Sequence, residues 1–533
     1  MRNLSAWTAN NQWIFFIIIL VLLIPALFIN LGMKPLTQDE ATRALVAQEM
    51  IISGNYIVPT TIGEYYYNKP PLYNWIIIAF FKMFNSYDEL VFRLPAVLSL
   101  LGFAVTIFFV MRKQFSTIFG LVNAVALITC GRILFWDSYL GLIDICYSWV
   151  TYSCFMLVYY LHKKQKYYLL FLITYLLTAV GFLMKGLPSV VFQGITLLVF
   201  FIYMKEFKKL FSFAHLTGIC LFLLITGGYY YLYYQYNPDL KTVFTTLLFQ
   251  STQRTAVESE IWETIKHLLL FPFETIYHFI PWTLLLVFVF HFKQFKESLK
   301  HPFIKFILII FLSNIPVYWI SPNIFPRYLL MLLPLLFTVL LYLFLENRKK
   351  NNILKKIIEI IFGVFIVLAI LFTIYLPFIN ELQNRSFLIM KIIVLIALLI
   401  IFLFGYIKLK DYRLLVFGMV LLSIRIGFNW FLVPERHETN HYRPVREMAV
   451  NAGKITKNSP LFLYRNTVMN DFTTFYINKV RNDRLIRKDK NFSADEYYIM
   501  GKRYLNAEKH QIVYPFKIGW KNTSVYLVKF KRE

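Results

Sequence analysis

Long runs of apolar residues alternate with short polar segments along most of the 533-residue chain. A helix that crosses a bilayer needs about 20 mostly apolar residues, and thirteen runs predict such helices. They fall near 13–33, 90–111, 115–131, 138–161, 167–184, 188–204, 214–234, 271–291, 303–320, 327–345, 357–378, 387–407 and 412–432. A shorter apolar run at 72–86 predicts a helix that lies at the membrane interface or dips into the membrane. The pattern therefore predicts an all-α polytopic membrane domain of the first 433 residues.

The distribution of lysine and arginine predicts the orientation. With the N-terminus in the cytoplasm, every cationic cluster between spans falls on the cytoplasmic side, as the positive-inside rule requires. These clusters lie at 112–113, 163–166, 205–209, 293–300, 348–356 and 408–413. The two long polar segments, 34–71 and 235–270, are then outside. The first apolar run is too long for a signal-peptide core and has no small-residue cleavage site, so we expect it to remain as an anchor.

The chain ends in a polar region, 434–533, which this topology also places outside the cytoplasmic membrane. Strand-like stretches at 460–464 and 524–530 accompany a helix-like stretch at 445–455. We therefore predict a small extracytoplasmic α/β domain that follows the membrane domain of residues 1–433.

Composition narrows the protein class. Hydrophobic residues make up 58% of the chain and charged residues only 16%, against roughly 25% charged in soluble domains. These values exclude a soluble globular enzyme, a disordered chain and a collagen-like chain. The net charge of +26 is interpreted as topology-setting cations and attraction to anionic lipids rather than as nucleic-acid binding. The four cysteines lie in or beside apolar runs without metal-ligand spacing, so we expect buried apolar side chains and no disulfide framework.

The first outer segment contains two adjacent carboxylates. Asp39 and Glu40 open a predicted helix that Gly54 ends, and its apolar residues share one face, which favours a position on the membrane surface. On spacing alone, a helix-capping role for Asp39 is favoured over a catalytic one. Farther along, Lys69 precedes two prolines that hold the backbone extended. A lysine there binds a lipid phosphate or anchors the chain at the interface, and the local sequence favours neither.

Further polar residues lie at the predicted outer ends of later spans. Asp137 begins the predicted span at 138–161, where a helix cap would explain it, and Asp144 follows about two helical turns deeper on the same face. An aspartate inside an apolar run must face a partner or a cavity. Three cations, Lys185, Arg254 and Arg327, lie on the same side. Together these groups suit a lipid-linked phosphate ligand with a carboxylate base nearby.

Several motifs then resemble a known family. The segments QDEATRALVAQEM, SGNYIVP, YYYNKPPLYNW and FRLPAVLS, followed by MKGLP and FPRYLLMLLP, cover about residues 1–345. They resemble the GT-C type membrane glycosyltransferases. The likeness is greatest to the branch that holds the 4-amino-4-deoxy-L-arabinose lipid A transferase and bacterial relatives of the protein O-mannosyltransferases. The resemblance implies transfer of a pentose or hexose from a polyprenyl (undecaprenyl) phosphate donor to a lipid A, protein or glycan acceptor. The implied place is the outer side of the bacterial cytoplasmic membrane.

The resemblance also implies roles for particular residues. Asp39 corresponds to the essential catalytic carboxylate, with its neighbour Glu40 as a further candidate, and Asp137 corresponds to a second carboxylate. Lys69 and Arg254 correspond to residues that contact the lipid phosphate.

The same motifs imply lesser candidates. Tyr328 and the adjacent Arg327 belong to the Pro-Arg-Tyr segment and are expected near the donor phosphate, whereas Asp144 and Lys185 remain additional candidates. Two positions depart from the lipid A branch, because Asn68 stands where a glutamate is frequent and Ser251 where a histidine is frequent. These departures weaken the inference of a bound metal. No residue is assigned as a metal ligand, although a divalent ion is compatible with the chemistry.

A transporter or flippase of lipid-linked sugars is the alternative from another class. It would bind the same polyprenyl phosphate, but transporters often contain internal repeats and broken helices at the membrane midplane. The sequence contains no internal repeat, and its polar constellation lies at one face of the membrane. This pattern favours an enzyme.

Overall fold

The computed structural model describes residues 11–253, 261–349, 352–506, 510–519 and 523–531. The α-helices are α1 (Gln12–Phe28), α2 (Asp39–Ser53), α3 (Leu72–Phe84), α4 (Glu89–Gln114), α5 (Thr117–Thr129), α6 (Gly131–Phe135), α7 (Ile143–Lys163), α8 (Tyr167–Lys185), α9 (Pro188–Tyr203), α10 (Phe213–Tyr236), α11 (Leu240–Thr252), α12 (Ile261–His278), α13 (Phe292–Ser298), α14 (Pro302–Asn314), α15 (Pro316–Trp319), α16 (Leu333–Lys349), α17 (Ile353–Tyr375), α18 (Leu388–Lys408), α19 (Arg413–Gly427), α20 (Val433–Glu438), α21 (Tyr442–Ile455) and α22 (Asp471–Arg481). The strands are β1 (Thr60–Thr61), β2 (Glu64–Tyr65), β3 (Leu461–Tyr464), β4 (Ile486–Lys488), β5 (Tyr497–Gly501), β6 (His510–Ile518) and β7 (Thr523–Phe530).

The chain divides into two compact units. The first consists of Met1–Asn30, Ala96–Thr226 and Leu248–Glu435, and the second of Leu31–Pro95, Gly227–Leu247 and Arg436–Glu533. The predicted domain boundary after residue 433 remains a prediction.

Helices suited to cross a membrane dominate the chain. In its described part, seven are long and apolar enough: Glu89–Gln114, Tyr167–Lys185, Phe213–Tyr236, Pro302–Trp319, Ile353–Phe378, Leu388–Lys408 and Lys410–Glu438. Shorter apolar helices match predicted spans at Gln12–Phe28, Pro188–Tyr203 and Leu333–Glu346. The predicted polytopic, helical architecture is therefore confirmed, while the count of thirteen spans remains a prediction.

One predicted span is broken. Helix α5 and the segment Gly131–Tyr139 are bent by 52° relative to each other. The backbone at the break is satisfied within the protein, because Gly131 donates its N–H to Ile280 O at 2.7 Å and the Trp282 indole donates to Thr129 Oγ1 at 3.0 Å. A Cβ at Gly131 would lie 3.0 Å from the Ile280 oxygen. Irregular backbone at membrane depth is tolerated only with such internal partners.

The predicted helix at 138–161 begins later than expected. Asp137–Tyr139 forms a single 3-10 turn, Leu140 and Leu142 have extended backbone conformations, and α7 starts at Ile143. Asp137 and Asp144 therefore do not lie two turns apart on one helix face, and that expectation was wrong. The sequence signal for the break is Gly141, which interrupts the apolar pattern.

The cysteines match expectation in part. Cys130, Cys146 and Cys154 are buried, and all four cysteines are free, but Cys220 is exposed. It lies on α10, whose most apolar window is only 28% buried. A position in an apolar run therefore does not guarantee that a cysteine is buried against other protein segments.

In the second unit, α2 packs against α3 and α22. Residues from Glu40 to Met50 are almost all buried, including Gln48 and Glu49. Helix α2 is therefore buried on more than one face, whereas a helix on the membrane surface would bury only its apolar face. It ends, as predicted, at Gly54, whose φ of 73° lies in the left-handed region that glycine favours.

The C-terminal residues form the predicted α/β arrangement. Five strands lie in the order β4-β3-β5-β7-β6, with β3 parallel to β4 and β5, and β7 antiparallel to β5 and β6. Helices α21 and α22 pack against each other. Strand β6 is an edge of the sheet and contains Pro515 and Lys517. The strands predicted at 460–464 and 524–530 are therefore confirmed.

Candidate active site

The two carboxylates at the start of α2 have different surroundings. Gln38, just before the helix, has a φ of 40°, and the Asp39 side chain that follows is exposed. Glu40 is only 1% exposed and forms an ion pair with Arg93, whose Nε lies 2.9 Å from Glu40 Oε1. Glu40 Oε2 also accepts a hydrogen bond from the Thr37 N–H at 3.2 Å. Glu40 thus fixes the first turn of the helix, while Asp39 faces outward.

Arg93 organises the segment before this helix. Its Nη1 donates to the carbonyl oxygens of Leu31 and Lys34 at 2.8 and 2.9 Å, and its Nη2 donates to the Pro35 oxygen at 3.3 Å. Arg93 stands in the FRLPAVLS motif, which by itself assigns it no role. The sequence signal for this role is the position of a charged residue within an apolar run, because such a residue must find partners.

Lys69 is half-buried and stands before the buried Pro70 and Pro71 that lead into α3. The segment is joined to α2 by Arg43, whose Nη1 lies 3.5 Å from Asn74 Oδ1 and whose guanidinium lies 5.7 Å from the Tyr66 ring centroid. Helix α2 and the Lys69 segment therefore belong to one connected structure within the second unit.

Glu49 fastens the other end of α2 to the β1–β2 hairpin. Its carboxylate accepts hydrogen bonds from Thr60 Oγ1 at 2.7 Å, from the Ile62 N–H at 2.6 Å and from the Gly63 N–H at 3.2 Å. Burial raises the pKa of Glu49, and the three hydrogen bonds oppose that shift. This carboxylate serves as a structural anchor.

Asp471 is a carboxylate that the sequence did not single out. It lies in the first turn of α22, and Thr42 Oγ1 on α2 donates to its Oδ2 at 2.5 Å. Burial raises the pKa of Asp471, and the Thr42 hydrogen bond lowers it by a smaller amount. The signal was weak, because Asn470-Asp471 reads as an ordinary helix start, and Asn470 does cap the helix by accepting from the Thr473 N–H.

In the first unit, Asp144 forms ion pairs with two cations. Its Oδ1 lies 2.6 Å from Lys185 Nζ, and its Oδ2 lies 3.1 Å from Arg327 Nε. The aspartate is 4% exposed, so the expectation that a carboxylate in an apolar run must face a partner is met. The three residues come from α7, from the end of α8 and from the 3-10 segment Pro326–Met331.

Aromatic rings surround this ionic cluster. Lys185 Nζ lies 4.0 Å from the Tyr328 ring centroid and 5.0 Å from that of Tyr147, and the Arg327 guanidinium lies 4.2 Å from the Phe325 ring. Cation–π contacts of this kind hold cations in place. A carboxylate that holds two cations together leaves a net positive, preorganised cluster suited to an anion such as a phosphate.

Asp137 has a separate partner. Arg132 Nε lies 3.2 and 3.1 Å from its two carboxylate oxygens, and Asp137 is 3% exposed. Arg132 stands five residues before Asp137, and that spacing alone did not predict the pair, because α6 ends at Phe135 and Trp136 leaves the helical conformation between the two residues.

The predicted site residues therefore fall into two groups. Asp39, Glu40 and Lys69 belong to the second unit, and the first unit contains Asp137, Asp144, Lys185 and the adjacent Arg327 and Tyr328. Arg254 lies outside the described residues. Across the described part of the chain, no group of three or more His, Cys, Asp and Glu side chains could hold a metal ion.

The fold matches a solved structure along nearly the whole chain. The crystal structure of ArnT from Cupriavidus metallidurans bound to undecaprenyl phosphate aligns with a TM-score of 0.70 and 17% identity, and the match covers 97% of this chain and 98% of ArnT. The chain has the GT-C glycosyltransferase fold. The apo state of the same ArnT gives a TM-score of 0.68.

Sequence comparisons agree with the GT-C fold. Residues 68–231 match the family described as dolichyl-phosphate-mannose-protein mannosyltransferase. One similar protein is the undecaprenyl phosphate-α-4-amino-4-deoxy-L-arabinose arabinosyl transferase 1 of Proteus mirabilis (strain HI4320). It is 26% identical to this chain over a stretch that covers 42% of this chain and 40% of the transferase. An uncharacterized protein of Aquifex aeolicus (strain VF5) is 21% identical over 92% of both chains. The predicted GT-C resemblance is confirmed.

Proposed function

We propose that this protein is an integral-membrane glycosyltransferase that moves a pentose or hexose from a polyprenyl-phosphate donor to a lipid A, protein or glycan acceptor. The reaction takes place at the outer face of the bacterial cytoplasmic membrane. The full-length likeness to ArnT, whose structure holds undecaprenyl phosphate, is the observation that carries the proposal.

Asp39 is the general base. Its side chain is exposed at the start of α2, whereas the adjacent Glu40 is buried in its ion pair with Arg93. The environment thus supports Asp39 rather than Glu40 as the carboxylate that meets an acceptor. Glu40 and Arg93 act as positioning residues that hold the first turn of α2.

Lys69 and Arg254 contact the donor phosphate, and Tyr328 with Arg327 assists them. The ion pairs of Asp144 with Lys185 and Arg327 hold the Lys185 and Arg327 side chains in position. Cations placed beside a leaving phosphate stabilise the negative charge that develops there in the transition state.

The chemical step is a single displacement with inversion. The acceptor oxygen forms a bond to the anomeric carbon while the bond from that carbon to the phosphate oxygen breaks. The acceptor proton passes to Asp39, and the bond electrons leave with the polyprenyl phosphate. Asp137, held by Arg132, positions the acceptor or assists Asp39.

The test uses the full chain in nanodiscs with undecaprenyl-phosphate sugars and with candidate lipid A, peptide and glycan acceptors. Product formation is followed by mass spectrometry. We expect Asp39→Asn to reduce kcat by about 10²- to 10⁴-fold, the range for loss of a general base. Glu447→Gln, at a side chain that is 63% exposed, is the matched control and should keep full activity.

Mass spectra of lipid A, glycoproteins and lipid-linked sugars from cells that carry Asp39→Asn identify the acceptor. One glycoconjugate should lose a defined sugar mass while the lipid-linked donor accumulates. Full activity of Asp39→Asn in vitro would exclude it as the base. Transbilayer movement of the donor without any transfer would instead identify a flippase.

A further inference from the structure

The C-terminal sheet has one edge where three parallel strands end together. Arg465 follows β3, Asp489 follows β4 and Lys502 follows β5, and the Arg465 N–H donates to the Lys488 oxygen across this edge at 3.0 Å. In open α/β sheets, ligands bind at the carboxyl ends of parallel strands. The carboxyl edge of β3, β4 and β5 is therefore the position at which a ligand of such a sheet binds.

The loop after β3 is held in an uncommon shape. Arg465 has a φ of 43°, in the left-handed region that side chains other than those of Gly, Asn and Asp rarely adopt. Arg487 donates to the backbone oxygens of Arg465 and Thr467, and Arg503 donates to the Asn466 oxygen. The Gly501 N–H donates to Thr467 Oγ1 at 3.2 Å. The guanidinium groups of Arg487 and Arg503 thus hold this loop in one conformation. Backbone strain of the kind seen at Arg465 is concentrated at binding sites.

Cations outnumber carboxylates at this edge. The cations are Arg465, Arg487, Lys488, Lys490, Lys502 and Arg503, and the carboxylates on the same loops are Asp489, Asp495 and Glu496. Glu496 lies 2.5 Å from Lys488 Nζ, and Glu64 lies 3.1 Å from Arg487 Nε. Arg465, Lys502 and Arg503 are exposed. A net positive charge with exposed guanidinium groups favours an anionic ligand, phosphate above all.

Aromatic rings accompany these cations. The Arg465 guanidinium lies 5.1 Å from the Tyr464 ring centroid and 5.3 Å from that of Phe492, and the Arg503 guanidinium lies 4.6 Å from the Tyr504 ring. Phe492 and Tyr504 are only partly buried. Partly exposed rings beside exposed cations suit a ligand with both an apolar face and a negative charge, and a phosphorylated sugar has both.

We infer that the carboxyl edge of β3, β4 and β5 is a binding site for a phosphorylated saccharide. Arg465 and Lys502 contact the phosphate, while the partly exposed rings of Phe492 and Tyr504 contact the sugar. Arg487 and Arg503 are positioning residues, because they hold the loop carbonyls. This site does not depend on the transfer reaction proposed above, which assigns no role to these residues.

The test is calorimetric titration of the full chain in phosphatidylcholine nanodiscs with glucose 1-phosphate, glucose and inorganic phosphate. Glucose 1-phosphate should bind more tightly than either fragment. Arg465→Gln and Lys502→Gln should each raise its Kd by about tenfold or more, the effect of losing one charge-assisted contact. Lys517→Gln on the exposed edge strand β6 removes a cation elsewhere in the same sheet and should leave the Kd unchanged.

Equal binding by all three variants would overturn the inference. Binding of inorganic phosphate as tight as that of glucose 1-phosphate would also overturn the inference, because it would indicate only a general anion patch. Loss of glucose 1-phosphate binding in phosphatidylglycerol nanodiscs of equal ionic strength would also overturn it, because the edge would then face anionic membrane lipid. Two variants at exposed positions keep the test valid if one of them folds poorly.

Discussion

Arg93 and Glu40 form an ion pair across 2.9 Å, and their side chains are 0% and 1% exposed. The pair joins the first turn of α2 to α4, and the same guanidinium binds the carbonyl oxygens of Leu31, Lys34 and Pro35. A buried charge is costly unless it is paired and hydrogen-bonded. Here both conditions are met, so the pair fixes the backbone on which Asp39 stands.

We expect Arg93→Met to destabilise the fold by about 3–5 kcal/mol, because it leaves Glu40 buried without its partner. The double variant Arg93→Met with Glu40→Gln removes both charges and should recover part of that loss. Unfolding of the purified protein, titrated with SDS, measures the difference. Equal stability of the single variant and the unsubstituted protein would contradict a structural role for the pair.

The cluster around Asp144 should act on donor binding. Lys185→Gln and Arg327→Gln each remove a cation held by Asp144. We expect each to raise the KM for the polyprenyl-phosphate donor by about tenfold or more, because a charge-assisted contact is lost. The effect on kcat should be smaller. Lys293→Gln, at an exposed cation of the same unit, serves as the control, and a fall in kcat alone would assign the cluster to chemistry instead.

Asp471 should make stability depend on pH. Burial raises its pKa above the usual carboxyl value. A group whose folded pKa is raised contributes stability that is fully present below its unfolded pKa and is lost as pH rises through the folded pKa. The unsubstituted protein should therefore lose stability through this group as pH rises above about 4.

Asp471→Asn removes this titration and retains an oxygen that accepts from Thr42. The stability of the variant relative to the unsubstituted protein should consequently improve as pH rises from 4 to 7. Thermal unfolding at several pH values provides the measurement. A relative stability that stays constant across this range, or that declines, would show that Asp471 ionises in the fold without penalty.

The predicted orientation can be tested by labelling. In a variant in which the four cysteines are replaced by alanine, Asn466→Cys should react with a membrane-impermeant maleimide in spheroplasts. Lys113→Cys, in the last turn of α4, should react only after the membrane is permeabilised. The reverse pattern would show that the C-terminal region is cytoplasmic.

Sequence patterns predicted the architecture where one physical signal dominated. Apolar runs predicted the membrane helices, and strand-like and helix-like stretches predicted β3, β7 and α21 of the C-terminal region. The pairing of Asp144 also agrees with the expectation that a carboxylate in an apolar run faces a partner.

Other features depend on contacts between residues distant in sequence. The pair of Arg93 with Glu40 spans 53 positions, and the contact of Thr42 with Asp471 spans 429. No periodicity encodes such pairs. The interruption of the predicted helix before Ile143 is likewise not predicted, because a single glycine is a weak signal inside an apolar run.

Strand β6 has a consequence for how copies of this protein behave when they are crowded together. A free sheet edge is a template for pairing with another chain. Pro515 removes one backbone N–H from this edge, and the exposed Lys517 adds charge beside it. Neighbouring molecules are thereby discouraged from joining their sheets into aggregates. A Pro515→Val change would restore a continuous edge and make the chain harder to keep monodisperse at high concentration.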